Sequence, residues 1–421
     1  MSVEAPARAC GIDFGTSNST AGWLRPGQPP LLVLENGKST LPSVIFFNAE
    51  ENTTSVGQAG LDEYLQGYEG RLMRALKSLL GSNLMEGRTE IQGRSLPYME
   101  LLTQFITELK RRTEAAADRS FGQAVFGRPV FFVDDDTAAD NKAEATLEAI
   151  ARSAGFSEVS FQYEPIAAAY HYECQIEREE LVLIADIGGG TSDFSLIRLS
   201  PQRALAADRR DDLLANGGVH IGGTNFDRQL SLEGVMPLLG HGSLLKRGLI
   251  MPSSYYMNLA TWHTINQAYT RRTWNDLQEL YLDTQAPEAM DRLLKLIEDR
   301  AGHWLAVQVE EAKIALSAGD SATLRLDRLS PGMRHTLTRI EFEQASAELV
   351  EQIGTTLSTL LAKAGVKRET VDTVFFTGGA SGVPMLRERI VAILPKARRM
   401  EGDLFGSVGA GLAVEAQRRY G

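Results

Sequence analysis

The stretch ADIGGGTS occupies residues 185–192 and directly follows the apolar run LVLI at 181–184. A shorter version, IDFGTS, occupies residues 12–17 near the N-terminus. In both stretches an apolar strand ends on an aspartate, a glycine turn follows, and Thr-Ser leads into a second strand. Because the order of Asp, Gly, Thr and Ser is shared, the sequence predicts two related halves, each beginning with an acidic β-hairpin.

The residue types in these two turns suit a phosphate-binding site. Glycine lets backbone N–H groups approach phosphate oxygens closely, and the Thr and Ser hydroxyls add further donors. Asp13 and Asp186 end the first strand of each hairpin, so both carboxylates are expected to face one place. Two carboxylates beside a polyphosphate suit a hydrated Mg²⁺. The residues therefore predict a nucleotide gripped by both hairpins, in a cleft between the two halves.

The composition is typical of a folded acidic protein. The chain has 421 residues, of which 43% are hydrophobic and 23% charged, and this length indicates two or three domains. The net charge of −11 disfavours nucleic acid and anionic membranes as partners. No apolar run approaches the roughly 20 residues of a membrane-spanning helix, and no signal-peptide pattern is present. The two cysteines, Cys10 and Cys174, make no disulfide framework and favour a reducing cytoplasm.

Periodicity and turn residues predict the remaining elements. In the first half these are hairpins over 9–24 and 31–47, helices over 64–80, 98–117, 138–153 and 165–173, and a strand over 125–133. In the second half they are a hairpin over 181–199, a helix-rich stretch over 230–318, strands over 323–326, 334–338 and 373–377, and helices over 339–364, 384–394 and 407–419. Trp262, Trp274 and Trp304 lie in the helix-rich stretch, where core packing is the simpler interpretation and a partner surface is the alternative.

Three other segments resemble known binding motifs but lack residues that those motifs require. Residues 37–39 end like a P-loop, but Leu32 stands where that motif requires glycine. Residues 409–411 begin a dinucleotide fingerprint, but Val414 stands at its last glycine. The acidic run 134–136 lacks the glycine and glutamate of a calcium loop, and it predicts the N-terminal cap of a helix instead.

The motifs, in this order, resemble the superfamily of actin, sugar kinases and heat-shock chaperones, and above all the ATPase domain of DnaK-type chaperones. The resemblance is carried by residues 13–19, 35–43, 74–81, 163–170, 185–193, 221–227, 310–317, 377–381 and 403–409. It implies an α/β, two-lobed actin-like ATPase fold of duplicated ribonuclease H-like lobes, with the nucleotide cleft between them. The lobes would span residues 1–178 and 179–421, with a helical insertion at about 228–309. A narrower likeness, in 161–165, 311–317 and 403–408 and in the long helical segment between Asp227 and Glu310, is to the bacterial YegD-type chaperone-related proteins.

The resemblance also implies roles for individual residues. Asp13 and Asp186 would hold Mg²⁺ through waters, Lys77 would offset charge on the γ-phosphoryl group, and Glu164 with Thr191 would position the attacking water. The remaining contacts to ATP or ADP would come from Gly15, Thr16, Ser17, Asn18, Gly188, Gly189, Gly190, Gly222, Gly223, Glu310, Lys313, Ser317, Gly378, Gly379 and Asp403.

Two departures from the DnaK-type pattern stand out. Ile314 and Gly382 replace two arginines that sandwich adenine, so cation–π stacking is lost. The residues after the last motif, 412–421, are too few to build the peptide-binding domain of a DnaK-type chaperone, so we expect no ATP-regulated holding of unfolded peptides by these residues.

Three functions remain open. They are a slow Mg-dependent ATPase acting as a nucleotide switch on a protein client, a small-molecule kinase of the sugar type, and an actin-like assembly or reactivating factor. Lys77 and Glu164 favour water over a sugar as the acceptor. The sequence names neither the client nor the oligomeric state.

Overall fold

The structure, a computed structural model, describes residues 9–133, 136–206, 209–402 and 406–421, and divides into two compact units. The first unit comprises Met1–Gly218, Leu357–Ser381 and Val391–Gly421, and the second comprises Val219–Thr356 and Gly382–Ile390. The predicted boundary between residues 178 and 179 lies where the duplicated sequence pattern restarts, whereas the two compact units are divided at other positions. The boundary therefore stays a prediction. Across the described residues, no helix is both long and apolar enough to cross a membrane.

Both halves of the chain mix strands and helices. The first half contains β1 (Ala9–Asp13), β2 (Asn18–Gly22), β3 (Thr40–Pro42), β4 (Val44–Asn48), β5 (Thr53–Val56), α1 (Gln58–Gln66), β6 (Gly70–Arg74), β7 (Arg88–Ile91), β8 (Arg94–Pro97), α2 (Tyr98–Ala117), β9 (Gln123–Arg128), α3 (Thr137–Ser153), β10 (Glu158–Tyr163) and α4 (Glu164–Glu173). The second half contains β11 (Glu180–Ile187), β12 (Ser192–Leu199), β13 (Leu213–Val219), α5 (Gly223–Leu230), α6 (Ser254–Leu259), α7 (Arg271–Asp283), α8 (Pro287–Glu298), α9 (Gly302–Ala318), β14 (Ser321–Arg325), β15 (Arg334–Thr338), α10 (Arg339–Lys363), β16 (Thr373–Thr377), α11 (Pro384–Ile393), β17 (Arg398–Glu401) and α12 (Ser407–Tyr420).

Two five-stranded sheets of the first unit share one topology. Their strand orders are β10-β9-β1-β2-β3 and β17-β16-β11-β12-β13. In each, the strand that ends on the aspartate lies parallel to one neighbour and antiparallel to its hairpin partner. In sheets with parallel strands the connecting helices cover both faces of a central strand, which explains the unbroken apolar run at 181–184. The matching orders confirm the predicted pair of related halves, each beginning with an acidic hairpin.

The predicted helix over 64–80 is wrong. Helix α1 ends where Gly67 takes a left-handed conformation with φ of 98°, and the chain continues as β6. β6 pairs antiparallel with β4, and Lys77 then lies in the short 3-10 turn Leu76–Leu79. Apolar spacing in this stretch fits a helix, but pairing with a strand from elsewhere overrides it.

The predicted hairpin over 31–47 is also wrong, although its turn forms. Asn36 and Gly37 have φ of 48° and 76°, as a tight turn requires. The chain after the turn forms β3, which pairs with β2, whereas β4 joins β5 and β6 in a separate sheet. The other predicted helices are present, including α2 over the predicted residues. Asp136 caps α3 as expected, while Asp134 and Asp135 lie outside the described residues.

The glycines at 409–411 have a packing role. Helix α12 lies against β1 and α4, and a Cβ on Gly411 would meet the carbonyl oxygen of Ala167 at 1.9 Å. On β1, which packs against α12, a Cβ on Gly11 would meet the backbone of Ala413 at 2.4 Å. Close approach of α12 to helix α4 and to strand β1 therefore explains these glycines without a dinucleotide.

The second unit holds the helix-rich stretch. Its tryptophans are partly buried: Trp262 packs edge-on against His303 with ring centroids 4.7 Å apart, and the Arg328 guanidinium lies 5.4 Å from the Trp304 ring. These contacts favour the packing interpretation of the tryptophans.

Candidate active site

Four charged side chains predicted to be catalytic come together in the first unit. Asp13 ends β1, Asp186 lies near the end of β11, and Glu164 is the first residue of α4. The Lys77 ammonium forms an ion pair with Glu164 Oε1, and these side chains are only 11% and 14% exposed. Asp13 and Asp186 interact electrostatically with both members of the pair. Residues far apart in sequence thus form a single cluster of three carboxylates and one ammonium.

The carboxylates repel one another at this site. Burial, and then the charge of Glu164, raises the pKa of Asp13 to about 7, against the pull of Lys77. Burial, followed by Asp193 and Glu164, raises the pKa of Asp186 to about 7 as well. Burial alone would lower the pKa of Lys77, but Glu164 and Asp13 raise it overall. The cluster is therefore short of positive charge.

The two glycine turns lie against each other. A Cβ added to Gly189 would lie 2.3 Å from Ser17 Oγ, so the tip of the second turn touches the first. The Gly188 N–H donates to the Thr191 carbonyl oxygen at 2.9 Å and closes the second turn. Gly190 has open space around the position of a Cβ. Backbone N–H groups from both turns therefore lie close to one another, as a shared phosphate site requires.

The first turn is supported by a residue to which the sequence assigned no role. Ser43 Oγ donates to the Gly15 carbonyl oxygen at 2.7 Å, and the Ser43 N–H donates to the Ser17 carbonyl oxygen at 2.9 Å. Ser43 Oγ also lies 2.9 Å from Ser19 Oγ. No local signal marks this contact, because Ser43 reaches the turn only through the pairing of β3 with β2.

The second turn is supported differently. Thr191 Oγ1 donates to Asp193 Oδ2 at 2.7 Å, so its hydroxyl is held by a neighbouring carboxylate. Gly378, at the end of β16, has φ of 80°, and a Cβ there would lie 2.4 Å from Asp186 Oδ1. Gly378 thus leaves room for the Asp186 carboxylate, a contact that the sequence did not predict.

Lys313 anchors the predicted ligand residues that lie in the second unit. Its Nζ lies 2.8 Å from Asp227 Oδ1 and donates to the Gly223 carbonyl oxygen at 3.3 Å. Ser317 Oγ donates to the Lys313 carbonyl oxygen one turn earlier on α9. Lys313 therefore joins α9 to α5, and its ligand role stays a prediction.

The predicted ligand residues fall into three groups. In the first unit lie Gly15, Thr16, Ser17, Asn18, Gly188, Gly189, Gly190, Gly378 and Gly379. In the second unit lie Gly222, Gly223, Glu310, Lys313 and Ser317. Asp403 lies outside the described residues.

The donor set at Asp13 and Asp186 fits Mg²⁺. Both donors are hard carboxylate oxygens whose pKa values are raised first by burial and then by neighbouring negative charge, and a divalent cation would favour their ionised form. Within the described residues, no group of three or more His, Cys, Asp or Glu side chains has the arrangement of a metal site. Two carboxylates with retained waters match the way Mg²⁺ binds beside phosphates.

Comparison with known families identifies a match along most of the chain. A family model described as Hsp70 protein matches residues 9–99, 87–233 and 290–418. These segments contain both hairpins, Lys77, Glu164, and the residues on α5 and α9. Residues 234–289, which contain α6 and α7, lie between the matched segments.

Proposed function

The chain belongs to the Hsp70 family of chaperone-type, ATP-binding ATPases, and we propose that it is a slow Mg-dependent ATPase that switches a partner protein between two states. The observation that carries this proposal is the Asp13, Lys77, Glu164 and Asp186 cluster beside two touching glycine turns. Within the family's two-lobed actin-like α/β fold, the acidic cluster and the contact between the two glycine turns support one shared phosphate site.

Lys77 and Glu164 would share the chemistry of the γ-phosphoryl group. Phosphoryl transfer depends mainly on positioning and on stabilising charge. The Glu164 carboxylate, which pairs with Lys77, can accept a hydrogen bond from an attacking water. When a γ-phosphate enters, the Lys77 ammonium can turn from Glu164 toward the new charge, which frees the Glu164 carboxylate to orient the water.

Asp13 and Asp186 would hold the metal, and Mg²⁺ bound there supplies positive charge beside the β- and γ-phosphates. The turn of Gly188, Gly189 and Gly190, which the Gly188 N–H closes, would cradle the phosphate oxygens together with the first turn. Thr191 would contact the γ-phosphate once its hydroxyl turns away from Asp193.

The base would be held weakly. Ile314 is 61% exposed on α9, one turn after Glu310, where a stacking cation would otherwise stand. Without the two arginines, each lost stacking contact removes ~0.5–2 kcal/mol of binding free energy. We therefore expect weak nucleotide binding and low preference for adenine, with Glu310, Lys313 and Ser317 contacting the adenosine.

The cellular setting follows from the same features. The free thiols of Cys10 and Cys174 support a reducing compartment, so we place the protein in the cytoplasm. The likeness to YegD-type proteins supports a chaperone-related role with a protein client. Nucleotide and that client are the proposed partners.

Steady-state phosphate release tests the proposal. With ATP and Mg²⁺ we expect slow turnover that EDTA abolishes, with no increase when sugars or other small hydroxylated acceptors are added. Transfer of the γ-phosphoryl group from ATP to one of these acceptors would establish a kinase instead. Sedimentation with and without ATP tests the third function, and ATP-dependent pelleting of the protein would establish an actin-like assembly.

A further inference from the structure

A small β-structure in the second unit has an exposed, unpaired edge. Leu244 bridges Ile250 antiparallel, and Leu245 bridges Thr284 on the other side. The Leu245 N–H donates to the Leu249 carbonyl oxygen at 2.7 Å, and the Met251 N–H donates to the Ser243 carbonyl oxygen at 2.9 Å. Residues 243–246 thus form the middle strand, and residues 249–251 form the edge strand.

The backbone of Ile250 faces away from the middle strand. The two hydrogen bonds flank the Leu244–Ile250 pair, which makes it a non-hydrogen-bonded pair of an antiparallel ladder. In such a pair the N–H and C=O of each residue point outward, and the outward C=O of Leu244 accepts from the Gln285 N–H at 2.9 Å. Among the described residues, the structure has no hydrogen-bond partner for the N–H or the C=O of Ile250. The edge therefore presents one donor and one acceptor to a further strand.

The side chains at this edge are apolar and exposed. Ile250 is 67% exposed, and Leu249 and Leu244 are also exposed. Because Leu244 and Ile250 are directly paired, their side chains lie side by side on one face. Leu282, at the end of α7, is also exposed, and it lies two residues before Thr284, which bridges Leu245. An unpaired edge flanked by exposed aliphatic side chains is a template for strand addition.

The segment of chain that contains the edge strand is basic, whereas the whole chain is acidic. The chain has a net charge of −11, yet no Asp or Glu occurs between Glu233 and Asp276. That interval carries four basic residues, Lys246, Arg247, Arg271 and Arg272. Lys246 and Arg247 form the turn before the edge strand, and Arg247 is exposed with Asp283 3.5 Å from its Nε. An acidic partner is therefore favoured over a second copy of this acidic chain.

We propose that the edge strand 249–251 binds an extended segment of a partner protein in which aliphatic and acidic residues alternate. The segment adds as an antiparallel strand beside Ile250, placing an aliphatic side chain against Ile250, and its carboxylates toward Lys246 and Arg247. The strand lies within residues 234–289, outside the match to the family model, so this site belongs to the part of the chain that distinguishes it from that model.

Fluorescence anisotropy on the full chain tests the proposal with three labelled nine-residue peptides. The first alternates valine with aspartate, the second alternates valine with lysine, and the third is the aspartate peptide with N-methyl groups on its central residues. We expect saturable micromolar binding of the first. Because a lost backbone donor or an opposite charge removes the interaction, the other two peptides should bind at least about tenfold more weakly.

Two substitutions at equally exposed isoleucines provide the matched control. Ile250→Asp puts a negative charge at the edge and should weaken the aspartate peptide at least about tenfold. Ile340→Asp, at a residue that is also 67% exposed but lies on α10, should leave its affinity unchanged.

The proposal is overturned if the aspartate peptide shows no saturable binding up to about 1 mM. It is also overturned if N-methylation or Ile250→Asp leaves the affinity unchanged. A concentration-dependent dimer in light scattering that Ile250→Asp abolishes would assign the edge to a second copy of this chain instead. None of these measurements uses ATP, so they are independent of the proposed ATPase.

Discussion

The two acidic hairpins share a backbone design but have different surroundings. In both, the strand ending on the aspartate has a parallel neighbour and an antiparallel partner. The first turn contains Gly15 alone and is supported by Ser43, whereas the second has three consecutive glycines and is supported by Gly378. The strand order and the aspartate position are common to both halves, while the groups that support each turn differ.

The charges near the two aspartates differ in the same way. After burial, the charge of Glu164 contributes most to the raised pKa of Asp13, whereas the charge of Asp193 contributes most to the raised pKa of Asp186. Lys77 opposes the rise in both. One ammonium therefore serves two carboxylates whose immediate surroundings are not equivalent, so matched substitutions in the two hairpins should separate their shared role from their individual ones.

The largest effect is expected when either aspartate is removed. Asp13→Ala and Asp186→Ala should each lower Mg-dependent ATP hydrolysis at least ~100-fold while the fold persists, because each removes a carboxylate that holds the metal. Phosphate release, with circular dichroism as the folding control, measures both. A folded variant that hydrolyses ATP at the parental rate would show that its hairpin is not part of the site.

The second effect concerns chemistry rather than binding. Lys77→Ala or Thr191→Ala should lower kcat by ~10–100-fold and change ADP affinity far less, because the lost contact acts mainly on the γ-phosphoryl group. Calorimetry with ADP beside steady-state rates makes the comparison. Lys142→Ala, which removes an exposed ion pair with Glu86, is the control and should change neither. Equal losses of rate and affinity would mean general nucleotide binding by Lys77 or Thr191.

The third effect is a difference in stability between glycine substitutions in the first turn and in the second turn. Gly15→Ala should destabilise the fold by at least about 2 kcal/mol, because the new Cβ would lie 2.1 Å from the Asn18 carbonyl oxygen. Gly190→Ala has nothing within 4 Å of its Cβ and should change stability by less than about 1 kcal/mol. Urea unfolding compares them, and similar losses would contradict this account of the first turn.

A smaller effect, on the stability of the fold, is expected when either aspartate is replaced by asparagine in the absence of metal. A carboxyl whose pKa is raised to about 7 binds protons more tightly in the folded state than in the unfolded state. Its ionisation therefore lowers stability as pH rises from about 4 toward 7. At pH 8 with EDTA, Asp13→Asn and Asp186→Asn should each stabilise the fold, on the order of 1 kcal/mol. Thermal unfolding tests this, and a lower Tm in both variants would be the contrary result.

No effect is expected of ATP on peptide binding. Extended peptides, including those that bind the edge at Ile250, should show the same affinity with ATP as with ADP. The edge contacts lie within residues 243–285 and include no predicted nucleotide residue. Anisotropy with each nucleotide measures this, and micromolar binding that weakens when ATP replaces ADP would reveal an ATP-regulated substrate site.

Much of the candidate site could be read from the sequence, because its decisive parts are local. An apolar strand, an aspartate, a glycine turn and a second strand are consecutive, and their order specifies a hairpin wherever it packs. Helix α2 is predictable for the same reason, since its apolar spacing and its ends lie within one segment. The family resemblance then supplied the roles of Lys77 and Glu164, which no local pattern around either residue indicates.

The tertiary structure alone decided which distant segments meet. Lys77 and Glu164 are separated by 87 positions, and their contact depends on β6 pairing with β4 in a stretch predicted as a helix. Ser43 supports the first turn, and Ile250 is left at a free edge, for the same kind of reason. Local sequence sets backbone preference and the spacing of apolar side chains, whereas strand partners are chosen by burial across the whole chain, which no single segment encodes.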